Sequence, residues 1–169
     1  DKLGKGYTSS RSLLSVSSCG ICGKRELGDI AVEGDRLKPK EMVHPETLIS
    51  MFSTMESAQA TFKTTGGSHA CGAFNLDGDL LMLKEDIGRH NAVDKTIGGL
   101  ILEEKLNDAS CLLVSGRISY EIVTKAFMAK IPILAAVSAP STLAVDYAKE
   151  LGITLFAFSR KNKTTCLSL

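Results

Sequence analysis

Two thiols three residues apart are the sharpest chemical feature of the chain: Cys19-Gly20-Ile21-Cys22-Gly23. Glycines beside both sulfurs leave room for another molecule's backbone or sulfur to approach closely. Several chemistries use such a pair. A structural zinc centre needs four ligands; His69 and Cys71 are candidates for the other two, but no second Cys-x-x-Cys exists. A dithiol redox centre expects the motif between a strand and a helix, and Gly23-Lys24-Arg25 followed by Gly28 makes a poor helix start. A sulfur carrier needs an exposed, mobile thiolate, and Lys24 and Arg25 are nearby cations that favour the ionised form. Spacing alone leaves these readings open, beside that of an inert pair.

Four further motifs carry groups that suit polar ligands. Thr65-Gly66-Gly67-Ser68-His69-Ala70 reads as a helix stop and loop, or as amides and hydroxyls lining an anion or nucleobase site. Glu85-Asp86-Ile87-Gly88-Arg89-His90-Asn91-Ala92-Val93-Asp94-Lys95 is the densest concentration of charge, and it falls at a predicted helix N-terminus, where free N–H groups favour anions. Arg89 and His90 are unfavourable there unless acidic neighbours or a ligand's phosphate compensate them. Ser115-Gly116-Arg117 and Phe158-Ser159-Arg160 each follow a buried strand, where a guanidinium fork is either a surface cap or a partner for phosphate or a guanine edge.

These groups need a scaffold that places them together. Residues 1 to 40 are rich in Gly, Ser and charge and read as a loop-rich opening segment, with Leu13, Leu14 and Val16 as a short strand before the cysteines. A helix is predicted from Pro45, a favourable first helical residue, with Leu48, Phe52, Met55 and Phe62 at near-helical spacing and Gly66-Gly67 beyond its end. Asp77-Gly78-Asp79 between Ala70–Leu76 and Leu80–Lys84 predicts an antiparallel hairpin. A second helix is expected over 89–106. Strand and helix then alternate through 111–114, 118–130, 131–137, 140–151 and 153–158, a pattern that calls for parallel pairing. The expected fold is a three-layer α/β/α sandwich with a mixed sheet over 41–169. In such sheets ligands gather outside the carboxyl ends of the strands, where the turns at 85–90, 115–117, 138–141 and 159–160 fall.

With 20 basic and 19 acidic side chains, the net charge of +1 gives no field for general nucleic-acid or anionic-membrane binding. No apolar run approaches the roughly 20 residues a bilayer crossing requires. Five cysteines are an odd count, a poor disulfide framework that points to a reducing, cytoplasmic setting. The chain opens at Asp1 rather than Met, so it is expected to be a piece of a longer protein.

Taken in order, the Cys19–Gly23 loop, the Thr65–Ala70 turn, the Glu85–Lys95 string and Ser115-Gly116-Arg117 closely resemble the FdhD family, the sulfur carriers needed to activate formate dehydrogenases. The resemblance runs from about Ser18 to Arg160. It implies a cytidine-deaminase-like core and a sulfurtransferase relay: a cysteine desulfurase gives persulfide sulfur to Cys19, with Cys22 assisting. The sulfur then passes to the bis-molybdopterin guanine dinucleotide cofactor, in its molybdenum or tungsten form, for the formate dehydrogenase apoenzyme. The cofactor is bound as a substrate, with no structural metal. Its expected contacts are Thr65, Gly66, Gly67, His69, Asp86, Arg89, His90, Asn91, Lys95, Ser115, Gly116, Arg117 and the run Phe158, Ser159, Arg160, Lys161, Asn162, Lys163. A homodimer is also implied. Two departures stand out: the family's additional N-terminal region is not in this sequence, and the stretch from Lys161 to Leu169 is not the family's usual tail.

Two rivals remain. A zinc deaminase places His-x-Glu and Pro-Cys-x-x-Cys where this chain has His90-Asn91-Ala92 and Ser115-Gly116-Arg117-Ile118, so the general acid and both thiolates are missing. A non-catalytic chaperone would use the same crevice to dock the cofactor onto the apoenzyme and would not need its cysteines.

Overall fold

The computed structural model describes residues 34–38, 42–160 and 163–169. The chain divides into two units after Ala31, and all described residues lie in the second. The expected strand at 13–16 and the Cys19–Gly23 loop lie outside the described residues.

Period-two patterning makes the sheet. In β3 (Cys111–Val114), Cys111 and Leu113 face one core while Leu112 and Val114 face the other. β4 (Ile133–Ala136) and β5 (Thr154–Arg160) pair in parallel with it in turn. β1 (His69–Phe74) joins the other side of β3 antiparallel, and β2 (Leu80–Asp86) pairs antiparallel with β1. The predicted turn between them contains Gly78 at φ 94 and is locked by Asn75, whose Oδ1 accepts from the Asp79 amide.

One face of the sheet packs against α1 (Pro45–Ala58) through Leu48, Met51 and Met55 on Phe74, Leu113, Ile133 and Phe156. The opposite face packs against α3 (Arg89–Leu102), α4 (Tyr120–Met128) and α5 (Thr142–Leu151) through Val93, Leu100, Ile122, Phe127 and Ala144. Each buried Leu, Ile or Phe contributes about 1.5–3 kcal/mol, and both faces of the sheet are covered. The three layers and mixed sheet are those expected.

Three boundaries differ from the sequence reading, each for a physical reason. The first helix is interrupted at Gln59 and resumes as α2 (Ala60–Thr65). There the Glu85 carboxylate takes the Thr61 and Phe62 amides, and Lys63 Nζ donates to the Ser57 carbonyl at 2.7 Å. The helix expected to reach 106 stops at Leu102, because Glu104 adopts φ 56 and Lys105 N–H bonds the Leu100 carbonyl. This is a left-handed helix stop of the kind that usually carries Gly; a single 3-10 turn, Leu106–Asp108, follows. A sixth strand, β6 (Lys163–Ser168), was not anticipated and pairs antiparallel with β5.

The order β2-β1-β3-β4-β5-β6 sets the polar turns along one edge. β2 ends there at Asp86 opposite the start of β1 at His69; β3 and β4 end there, and Arg160 of β5 pairs with Lys163 of β6.

Candidate functional site

At that edge, on the α1 face, lies a cavity of roughly 630 Å³. Ile49, Phe52, Met55 and Phe62 make an apolar wall, and Glu56 and Gln59 come from the same helical layer. Gly66, Gly67, Ser68, His69, Ser115, Ser159, Arg160 and Lys163 supply the polar side. Of the expected contacts, the cavity thus gathers Gly66, Gly67, His69, Ser115, Ser159, Arg160 and Lys163.

Local chemistry explains why these groups are held open. Gly66 caps α2 at φ 65, and the Thr65 hydroxyl, just outside the cavity, donates to the Thr61 carbonyl and accepts from the Gly67 amide. Ser115 Oγ accepts from the Ala70 amide at 2.9 Å, extending the β1 to β3 ladder past Val114. In β5 the pairing register shifts between Ala157 and Arg160, and Phe158 sits at φ 55, a left-handed conformation unusual for a bulky residue. The bulge leaves Phe158 exposed and Ser159 buried, with Ser159 Oγ 2.8 Å from Thr164 Oγ1. Arg160 Nε donates to the Val137 carbonyl at 3.2 Å, which fixes the base of its guanidinium at the cavity rim.

Asp86, Arg89, His90, Asn91 and Lys95, also expected as contacts, cluster at the start of α3, on the other face of the same edge. Asp86 accepts from Lys95 Nζ, from the Gly88 amide at 2.9 Å and from Asn91 Nδ2 at 3.0 Å. Lys95 first, then Gly88 and Asn91, pull the Asp86 pKa down to about 2, so it is a carboxylate at neutral pH. His90 is buried; its Nδ1–H meets Glu121 Oε2 at 2.8 Å and its Nε2 lies 3.1 Å from Ser119 Oγ. Burial, with help from Arg89 and Lys125, pushes His90 down to about 4 and leaves a neutral ring. The charge that was unfavourable at this helix N-terminus is therefore partly relieved by deprotonation. Arg89 Nε is buried without a hydrogen-bond partner among the described residues.

Gly116 joins the two regions. A Cβ there would lie 3.3 Å from Arg89 Cβ and 3.4 Å from His69 Nδ1, so only a hydrogen fits comfortably. Arg117 is exposed beyond it. Cys19, Cys22, Lys161 and Asn162 lie outside the described residues. Among the other thiols, burial pushes both Cys71 and Cys111 up to about 12, which keeps them protonated, whereas Cys166 is exposed on β6. Cys71 is fully buried in the core on the α3 side of the sheet.

Sequence reasoning missed the apolar wall, and it placed Ser68 within the Gly-rich turn without singling it out as a contact. Phe52 and Phe62 share the near-helical spacing of Leu48 and Met55, a stripe that does not by itself separate cavity wall from core. Phe62 falls beyond the break at Gln59, which no local signal announced. Glu85 was noticed for its charge and not as a determinant of the cavity.

Comparison with known proteins shows what this arrangement is similar to. A sequence model of the FdhD/NarQ family matches residues 4–168. The chain is 45% identical over 164 residues to the sulfur carrier protein FdhD of Thermoplasma acidophilum, covering 96% of this chain and 58% of that protein. It is 48% identical over 155 residues to the protein of the same name from Mycobacterium tuberculosis, covering 89% and 56%. The chain thus spans little more than half the length of these curated relatives. Among solved structures it is similar to a candidate formate dehydrogenase accessory protein from Desulfotalea psychrophila, with a TM-score of 0.72 at 30% identity over 79% of this chain and 59% of that one.

Proposed function

The chain belongs to the FdhD/NarQ family, and on that premise we propose that it is a sulfur carrier in which Cys19 holds a persulfide. The sulfur comes from a cysteine desulfurase and goes to the bis-molybdopterin guanine dinucleotide cofactor of a formate dehydrogenase. The observation that carries the reading is the family match across residues 4–168, which takes in the Cys19-Gly20-Ile21-Cys22-Gly23 loop. The described thiols favour the same assignment by elimination of two, since Cys71 and Cys111 are buried and protonated.

The persulfide's sulfur–sulfur bond breaks, Cys19 leaves as a thiolate with the bonding pair, and the terminal sulfur passes as a neutral atom to the acceptor, whose metal in a reduced state would supply the pair for the new bond and be oxidised by two electrons. A thiolate with nearby cations is a good leaving group, and Lys24 and Arg25 are adjacent in sequence. Cys22 serves as assistant or second acceptor.

The cavity is the site that suits the cofactor's nucleotide. Its volume falls in the range of small-ligand sites. It therefore fits one guanine nucleotide arm rather than the whole cofactor; a homodimer would offer one cavity to each arm. Phe52 and Phe62 offer flat apolar surface to a base, while Arg160, Lys163 and His69 offer donors to phosphate.

Intact mass after incubation with a desulfurase and cysteine tests the relay. One added sulfur mapped to the Cys19 peptide is expected, and Cys19→Ala should abolish dehydrogenase activation while leaving GDP binding intact. Full activation by that variant would show that the protein acts as a docking chaperone instead.

A further inference from the structure

Glu85 and Asp86 are consecutive carboxylates at the end of β2, and the pleat sends them to opposite faces. Asp86 meets the start of α3. Glu85 meets α2: its Oε2 accepts from the Thr61 amide, and its Oε1 accepts from the Phe62 amide and the Ser68 hydroxyl, each at 2.8 Å. Two of those donors lie at the beginning of α2 and the third lies just past its end. α2 itself has six residues, none of them buried, so it has little apolar anchorage of its own. Yet it and the turn that follows contribute Phe62, Gly66, Gly67 and Ser68 to the cavity.

We propose that Glu85 is the positioning residue of the cavity, its carboxylate tying both ends of α2, and with them the wall from Phe62 to Ser68, to the end of β2. Three donors require an acceptor-only group with two oxygens. A carboxylate is that group, and the near-isosteric amide of Gln is not, because its NH2 would confront one of the backbone N–H donors. Burial acts to raise the Glu85 pKa, but the hydrogen bonds from Thr61, Ser68 and Phe62 together hold it below the ordinary carboxylate value. The carboxylate form is therefore the one present at neutral pH. The role rests on the cavity being the nucleotide site, and it adds a residue that touches no ligand but sets where the wall stands.

The test is amide hydrogen exchange together with GDP binding on the full chain carrying Glu85→Gln. Glu103→Gln, which removes a surface carboxylate paired with Lys105, is the control. In the Glu85 variant, exchange at 61–68 should accelerate about tenfold and the Kd for GDP should rise by about the same factor, as expected for losing charge-assisted hydrogen bonds. Protection in β1, β3 and β4 should stay native, and the control should change neither readout. Unchanged exchange at 61–68 would overturn the tie. Faster exchange with unchanged GDP affinity would overturn the positioning role, as would loss of protection throughout the sheet. If the unsubstituted chain does not bind GDP, the nucleotide reading fails by itself, and the exchange contrast still decides whether Glu85 holds α2.

Discussion

The two sides of the polar edge differ in what their polar atoms already have. At the start of α3, Asp86 has Lys95, Gly88 and Asn91, His90 has Ser119 and Glu121, and Asp94 has Lys125 at 2.7 Å. On the α1 face, an apolar wall faces His69, Arg160 and Lys163 across an open cavity. Ser115 and Ser159 are engaged by neighbours there, yet the charged groups stand at the rim of a space large enough for a ligand. The most charge-dense motif in this sequence is thus largely engaged by its own neighbours, with the buried Arg89 Nε as the exception among the described residues. Density measured along the chain includes charges that neutralise one another, whereas binding needs groups left over after the fold has formed.

The largest expected effect breaks the α3 side. His90→Ala removes two hydrogen bonds and leaves a small void, costing roughly 3 kcal/mol in stability by urea unfolding, while GDP affinity stays within about twofold. A large affinity loss in a variant that remains folded would place His90 in the binding site and erase the contrast. The same residue predicts a pH dependence. Its folded pKa near 4 lies below the unfolded value of 6.5, so the unfolded chain binds more protons between those values. Stability should therefore be complete above about pH 6.5 and decline as pH falls toward 4, and a His90→Gln variant should show a flatter profile over that window.

Breaking the cavity side comes next. Arg160→Ala combined with Lys163→Ala removes two cations from the rim and should weaken GDP binding about thirtyfold, measured by calorimetry, with little change in melting temperature because both residues are exposed. Equal affinity in the double variant would move the phosphates away from this rim.

Much of this arrangement was legible in the sequence. Pro45, Asp77-Gly78-Asp79 and the alternating apolar runs after 110 gave the layers and the sheet, because each is a local signal strong enough to survive tertiary packing. The loop of Gly66-Gly67 and the Arg at 160 were visible as site elements for the same reason. The break at Gln59 was not, since it depends on a carboxylate more than twenty residues away. Nor was the stop at Leu102, where Glu104 takes a conformation usually left to Gly. β6 escaped because Lys163-Thr164-Thr165-Cys166 is polar and lies at a sheet edge, where neither face imposes a clear alternation. Phe158 was read as part of a polar turn, yet the turn contains a strand bulge that only pairing reveals.

Gly116→Ala probes the junction between the two sides. The added methyl must displace Arg89 or the His69 ring by a few tenths of an ångström, a strain of about 1 kcal/mol that should lower the melting temperature by roughly 3 °C. Because His69 lines the cavity and Arg89 does not, the direction of the displacement matters: movement of His69 should also weaken GDP binding severalfold, whereas movement of Arg89 alone should leave it unchanged.

The smallest effect is expected at Lys95, which is half exposed and pairs with Asp86. Lys95→Ala should lower the melting temperature by no more than about 2 °C, since exposed ion pairs contribute little once screened. If Lys95 were instead a phosphate contact, GDP affinity would fall while stability held, and it would fall less at high salt because the lost interaction would already be screened. Measuring affinity for both proteins at two ionic strengths separates these cases. A salt-independent, near-zero difference means that the α3 charges serve the fold, and a loss that shrinks with salt means that the ligand reaches across the edge of the sheet to meet them.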